Sequence, residues 1–226
     1  MTGGLRLDLH VHSRHSPDGH AEVDRFVAAL ADRKLDGLAL TDHNTLGGHA
    51  RLAELAREHP RVHLLPGVEV STLEGHLLAY GLVELPPRGR PLAETVEWVE
   101  AHGGVPVLAH PFRLVHGVGG AIARAARIPA AETMNGHNGP RANARAAAVV
   151  SARRLGSTGG SDAHDPQELG RTWTVFPEGA ARVDDLLEAL RHGLTTAAGR
   201  SADPVLRFRV ALRSFGLRFR RGLRPV

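Results

Sequence analysis

The chain contains no cysteine. That excludes disulfides, and it excludes thiolate metal sites. Any metal must be held by His, Asp and Glu, a donor set that suits zinc, manganese or iron. No apolar run reaches the length of a membrane span. The N-terminus lacks the charged-then-apolar pattern of a secretory signal, so a cytoplasmic location is expected. There is no G-x-S-x-G elbow, no dinucleotide fingerprint and no suitably placed Gly-rich phosphate loop. With no nucleophilic Cys and no serine elbow, a bound water is the best nucleophile on offer.

What is present begins with histidine, at fifteen in 226 residues. Several sit beside Asp or Gly at the ends of apolar segments. The length fits one large domain or two small ones. The net charge of +4 is uneven, because Pro204 to Val226 carries seven Arg and no acidic residue. Without that tail the body is slightly acidic, so the high pI does not mark the body as a nucleic-acid binder.

Leu5, Leu7, Leu9 and Val11 alternate with Arg6, Asp8, His10 and His12, the period of a strand. His10 and His12 then share a face and can converge on one metal ion. Ser16-Pro17-Asp18-Gly19 turns the chain and can return Asp18 to the same place. One H-x-H pair alone reads more readily as two half-exposed histidines on an edge strand. Recurrence changes that reading. Apolar strands are expected at Leu38–Thr41, at Val62–Leu65 with Val68–Val70 (broken at Pro66-Gly67), at His76–Tyr80, Val105–Ala109, Ala131–Met134, Ser157–Ser161 and Thr172–Phe176. Helices are expected at Val23–Leu35, Leu46–Glu58, Leu92–His102, Val118–Ala126, Pro140–Leu155 and Val183–His192. Strands alternating with helices imply parallel strands covered by helices. A closed or distorted β/α barrel is the first expectation and an open doubly wound sheet the second. In a barrel, functional residues gather where strands end.

In chain order the strand ends carry H-V-H with Asp18, T-D-H, G-V-E-V, G-H-L-L-A-Y-G, L-A-H-P and G-S-D-A-H. This series resembles the polymerase and histidinol phosphatase (PHP) family from about Leu5 to His192. The resemblance implies a distorted (β/α)7 barrel, PHP-type, with two or three divalent ions (zinc, manganese or iron). It implies His10, His12 and Asp162 on a first ion, Glu69 bridging to a second, and His76 and His110 completing that one. Asp18, His43 and His164 would hold a third, with His15 and His20 near the place of Asp18. The chemistry suits these types independently. A carboxylate can bridge two cations, and the cluster can make hydroxide from water near neutral pH and stabilise charge on a phosphate.

Other residues are candidates on weaker grounds. Asp42 precedes His43 and is expected to orient a ligand. Arg113 and Arg171 could each grip a phosphate. His137, in M-N-G-H-N, follows a strand and could protonate a leaving group. The remaining histidines, His116 among them, read as ordinary polar residues. The expected organisation is a hydrolase domain at 1–201 and an Arg-rich tail at 202–226. The tail could bind nucleic acid or an anionic membrane, or pack on the barrel. The expected activity is hydrolysis of a small phosphomonoester, such as a nucleotide or phosphorylated metabolite, by metal-bound hydroxide. The alternatives are a nuclease or cyclic phosphodiesterase that uses the tail, and a catalytically silent metal-binding module.

Overall fold

A computed structural model of the chain describes residues 4–206, 208 and 212. Nine strands form one sheet: β1 (Arg6–Val11), β2 (Gly37–Leu40), β3 (His63–Ser71), β4 (His76–Tyr80), β5 (Val105–Leu108), β6 (Ala130–Asn135), β7 (Gly156–Gly160), β8 (Thr172–Val175) and β9 (Thr196–Gly199). Among the described residues six helices of seven residues or more accompany them: α1 (Val23–Ala29), α2 (His49–Glu58), α3 (Leu92–Ala101), α4 (Gly119–Ala125), α5 (Pro140–Arg153) and α6 (Val183–Arg191). β1 to β7 lie side by side in chain order, with β8 and β9 continuing from the free edge of β1. β7 closes onto β1 and β8 without a regular ladder, by an isolated bridge between Val11 and Ala163 and by side-chain bonds. The Thr174 hydroxyl takes the Gly159 N–H at 2.8 Å and donates to the Gly159 carbonyl at 3.0 Å. The result is a distorted β/α barrel.

The distortion has local causes. β3 does not break at Pro66-Gly67. It runs through and changes partner, pairing with β2 in parallel up to Pro66 and with β4 in antiparallel fashion from Gly67. Only Thr72 to Gly75 separates β3 from β4, far too little chain for a parallel crossover. β4 therefore runs against both β3 and β5, a departure from the expected all-parallel sheet with consequences for the site. β8 and β9 are likewise antiparallel. β9 was not anticipated from its sequence, whose small residues show no alternation. α1 ends at Ala29 with Leu30 as its C-cap, short of the expected Leu35, and the turns that follow it run to Lys34, whose φ of 56° is left-handed.

The barrel interior is filled by Leu7, Leu9, Ala39, Leu65, Leu78, Tyr80, Val105 and Val107, and α6 packs Leu186 and Leu190 against them. One outer layer joins α1 and α2 to β1 and β2 through Phe26, Leu38, Leu40 and Leu52. Another joins α3, α4 and α5 to the middle strands through Val68, Leu77, Val96, Val99 and Val150. Within β1 the pairing with β2 slips between Asp8 and Val11. Leu7 and Leu9 accordingly face the interior while Val11 packs outward with the helices, the re-aiming that a bulge produces. No helix among the described residues is long and apolar enough to cross a membrane. Beyond Leu206, the Arg-rich tail lies outside the described residues except for Phe208 and Leu212.

Candidate metal centre

The nine residues expected as ligands come together at one end of the barrel. His12, His43, His110, Asp162 and His164 follow the C-terminal ends of β1, β2, β5 and β7, and Glu69 lies two residues before the end of β3. His76 is the first residue of β4, and the antiparallel direction of that strand carries its N-terminus to the same end. The four-residue hairpin is therefore what delivers the sixth histidine.

Glu69 sits at the centre and is fully buried. Its Oε2 lies 3.1 Å from His10 Nε2, 3.2 Å from His12 Nε2 and 3.3 Å from His43 Nε2. Its Oε1 lies 2.8 Å from His76 Nδ1 and 2.9 Å from His110 Nε2. Asp162 Oδ1 is 3.3 Å from His12 Nε2 and 3.8 Å from His10 Nε2. On the outer side Asp18 Oδ2 lies 3.0 Å from His164 Nε2 and 3.4 Å from His43 Nε2. His15 and His20 remain exposed, so Asp18 is the residue of its turn that joins the group.

His10, His76 and His110 reach Glu69 within hydrogen-bond distance, and the same spacings also suit donors arranged around cations. Donors on a tetrahedral ion with bonds of about 2.0–2.2 Å stand roughly 3.3–3.6 Å apart, and on an octahedral ion of similar bond length about 3 Å apart. His12 Nε2 is buried between two carboxylate oxygens yet makes no hydrogen bond to either. Five imidazoles around one carboxylate exceed what its lone pairs can accept, whereas a bridging carboxylate needs only one lone pair per ion. The residues group as sets of three or more donors, among them His10–His12–Glu69, His43–Glu69–His76 and His12–Asp18–His43.

The electrostatics show where positive charge is wanted. Burial opposes ionisation of Glu69, but the histidines around it, His43 and His10 foremost, hold it well below the usual carboxylate range. Burial likewise opposes Asp162, which Arg113 and His10 bring well below that range. Against its own burial, His12 is raised to about 10 by Asp162, Glu69 and Asp18. His10 is raised well above its ordinary value by Asp162, Glu69 and Glu132 despite its burial. Protons thus stand where cations would otherwise balance the carboxylates. His110 and His164 are lowered, by burial first.

The family model for the PHP domain matches residues 8–115, and that for the PHP-associated region matches residues 140–195. The chain belongs to the PHP family. Among solved structures, this PHP chain resembles PsfC from Pseudomonas syringae with a TM-score of 0.71 at 20% identity, over 96% of this chain and 99% of that one. It also resembles a protein of Bifidobacterium adolescentis, provisionally described as a metal-dependent phosphoesterase, with a TM-score of 0.62 at 17% identity, over 88% and 97% of the two chains. In sequence it is 29% identical over 118 residues to an uncharacterized protein of Methanocaldococcus jannaschii, which is 48% of this chain and 68% of that one. At such identities the solved structures establish the fold.

Other parts of the PHP barrel hold the cluster in place, and several escaped the sequence reading. Glu132 on β6 is buried, with Oε1 3.1 Å from His10 Nδ1. Its Oε2 accepts the His110 N–H at 2.8 Å and the Asn135 amide at 3.0 Å. Asp8 is fully buried and accepts N–H bonds from His10 at 3.3 Å, Ser161 at 2.8 Å and Gly170 at 2.9 Å, together with the Ser161 hydroxyl. It therefore fixes the segment that leads into Asp162. The available signal for both was a lone acidic residue inside an apolar strand. His110 and Asp162 have positive φ of 24° and 59°, sparsely populated conformations that tend to collect at functional sites. His164 Nδ1 donates to the Asp162 carbonyl at 2.7 Å, which fixes its tautomer and turns Nε2 toward Asp18.

The remaining candidates divide. His137 is buried, with Nδ1 3.9 Å from Asp162 Oδ2 and Nε2 3.5 Å from Glu168 Oε2. Arg113 reaches the cluster, but one Nη is bonded to Asp162 and to Asn135 Oδ1, and Nε reaches Asn138. Its fork is turned toward a carboxylate of the protein and is not open for two-point capture of phosphate. Arg171 stays outside the cluster. Its Nη2 donates to the Ser201 carbonyl at 2.9 Å and lies 3.2 Å from Asp203, which ties down the segment after β9. Asp42 does not touch an imidazole. It accepts the Ser13 N–H at 2.6 Å and the Ser13 hydroxyl at 2.8 Å, bracing the turn beside His12. His116, read as an ordinary polar residue, stacks on His76 with ring centroids 4.5 Å apart and planes 12° apart. Burial, then His76, push it down to about 4.

Proposed function

We propose that His10, His12, Glu69 and Asp162 hold one divalent ion, that Glu69, His76 and His110 hold a second, and that Asp18, His43 and His164 hold a third. Zinc, manganese or iron fits this nitrogen and oxygen donor set. When bound, such ions acidify water and neutralise charge on a phosphoryl group. The reaction proposed is hydrolysis of a phosphate ester, with a small phosphomonoester such as a nucleotide or phosphorylated metabolite as substrate. The observation that carries this reading is the buried Glu69 carboxylate, with five imidazole nitrogens 2.8–3.3 Å from its two oxygens.

The other side chains have distinct tasks in this reading. Glu132 holds the His10 ring from behind and the His110 backbone beside it. Arg113 and Asn135 fix the outer oxygen of Asp162. His137 is the proposed proton donor to the departing oxygen, since its buried Nε2 makes no hydrogen bond. Residues 1–201 constitute the hydrolase domain, and 202–226 are an appended tail.

The test joins metal counting to hydrolysis. The purified chain, loaded with zinc or manganese, is given a panel of phosphomonoesters and one phosphodiester, with His10→Ala and Asp162→Ala as controls. Two or three ions per chain and monoester turnover that both variants abolish are expected. Stoichiometric metal with no turnover would leave a binding module. Preference for the diester would make the enzyme a phosphodiesterase.

A further inference from the structure

One rim of the centre carries exposed apolar side chains. The turn from Thr72 to Gly75 and the loop after β5 pack backbone against backbone. The His76 N–H donates to the His116 carbonyl at 3.0 Å, and a side chain at Gly75 would stand 2.7 Å from that same oxygen. On this joined rim Leu114 is completely exposed, Leu73 is 70% exposed and Val115 is 49% exposed. Single exposed leucines are ordinary; three exposed apolar side chains on two loops joined beside a polar, histidine-lined site offer apolar surface to a group bound there. His116 follows directly, with a left-handed φ of 67° that a non-glycine residue adopts at a cost. That conformation puts one face of its ring on His76, itself 2.8 Å from Glu69. The chain thus runs without a gap from the central carboxylate through His76 to an imidazole and then to two apolar side chains.

We infer that Leu114, Val115 and His116, with Leu73 on the adjoining turn, recognise an apolar or aromatic group carried by the substrate next to its phosphate. The inference rests on the proposed phosphate-ester reading and narrows it. A bare sugar phosphate or glycerol phosphate would leave this rim wet. An aryl or heteroaromatic phosphate would cover the leucine and valine and lie beside the His116 ring. Stacking on imidazole and burial of apolar surface both favour the aromatic group. Arg113, three residues after His110 and on the same loop, is held back toward Asp162, so its guanidinium is not spread over Leu114 and Val115.

The test is direct binding to the metal-loaded full chain, by calorimetry, of 1-naphthyl phosphate and of ethyl phosphate. They carry the same charged group and differ in the apolar part. The parent is expected to bind the naphthyl ester about tenfold or more tightly, the range that apolar pocket contacts supply. Leu114→Ser with Val115→Ser, and separately His116→Ala, are expected to shrink that ratio several-fold. Both substitutions are on an exposed loop, and a matched circular dichroism spectrum and metal count establish that the variants remain folded and loaded. Equal affinity of the parent for the two esters would overturn the inference, as would a ratio that neither variant changes. Turnover is followed in the same samples. Binding preference without hydrolysis supports the rim and counts against the hydrolase reading alone. Hydrolysis without preference does the reverse.

Discussion

His10 Nδ1 lies 3.1 Å from Glu132 Oε1 inside the barrel, with both side chains fully buried. Because the other oxygen of Glu132 holds the His110 backbone, one carboxylate on β6 sets the position of two histidines assigned to different ions. Glu132→Gln keeps the shape but offers a weaker acceptor to His10 and places an NH2 near another donor. Metal affinity is expected to fall ten- to a hundredfold, as it does when such outer partners are lost. Competition with a chelator measures it, and a circular dichroism melt checks the fold. Unchanged affinity would mean that Glu132 does not orient the histidines.

Metal uptake should expel protons. His12 in the metal-free chain is raised to about 10, since Asp162, Glu69 and Asp18 outweigh its burial. At pH 7 it therefore carries a proton that a cation must displace. Apparent metal affinity is expected to rise with pH from neutrality toward about 10 and to weaken as pH falls. Calorimetry in buffers of different ionisation enthalpy reads the released protons directly. At least one proton per chain is expected at pH 7, and none would contradict the charge balance described.

Asp8 supplies a pH signature of a different sign. Burial, outweighing bonds from Ser161, Gly170 and His10, pushes its carboxyl from 3.8 to about 6. The folded chain then binds this proton more tightly than the unfolded chain. Its contribution is complete below about pH 4 and is lost as pH rises through 6, on the order of 3 kcal/mol in all. Asp8→Asn removes the titration while setting an amide against N–H donors. Urea unfolding of the metal-free parent and variant at pH 4.5 and 7.5 isolates the effect, because other groups cancel in the difference. The parent's advantage over the variant is expected to shrink at the higher pH, and an advantage that grows would reverse the assignment.

Much of this was legible in the sequence because strand-end histidines announce themselves by recurrence. T-D-H and L-A-H-P each follow a short apolar run, H-V-H closes an alternating strand and D-A-H follows the glycine-rich β7, and the order of these motifs matches the order of the strands. What could not be read depended on direction and on register. Nothing in H-L-L-A-Y states that β4 runs backwards. The four-residue turn before it does, once the length of a crossover is considered. Arg171 looked poised to grip phosphate because it follows E-L-G. The return of the chain after β9, which captures it at Ser201, was invisible because β9 has no alternating pattern. Glu132 and Asp8 were passed over for a simpler reason. A buried carboxylate is costly unless it is paired, so an acidic residue within an apolar strand should itself have been read as a partner for something charged or donating.

The glycines of β7 make a final, separate demand. G-S-T-G-G is a poor strand by propensity, yet Gly160 ends β7 and pairs with Asn135 of β6. A side chain there would stand 2.3 Å from His10 Cβ and 2.7 Å from the His10 backbone nitrogen. Gly160 is therefore empty space reserved for His10, at the point where the sheet closes on itself. Gly160→Ala cannot be absorbed by a rotamer change, since part of what it meets is backbone. Either β7 moves outward, taking Ser161 and Asp162 with it, or His10 is displaced. Both separate Asp162 from the His10–His12 pair. The expected outcome is a loss of about 1–3 kcal/mol in stability, typical of overpacking, with a drop in metal content larger than that of Gly103→Ala. Gly103 is a suitable control because a side chain there meets nothing within 4 Å and φ is +77°, so that variant bears only backbone strain. Thermal melts and metal analysis of the two variants side by side would distinguish a local claim on the centre from general loss of fold. Equal metal content in both would show that the contact with His10 is relieved elsewhere.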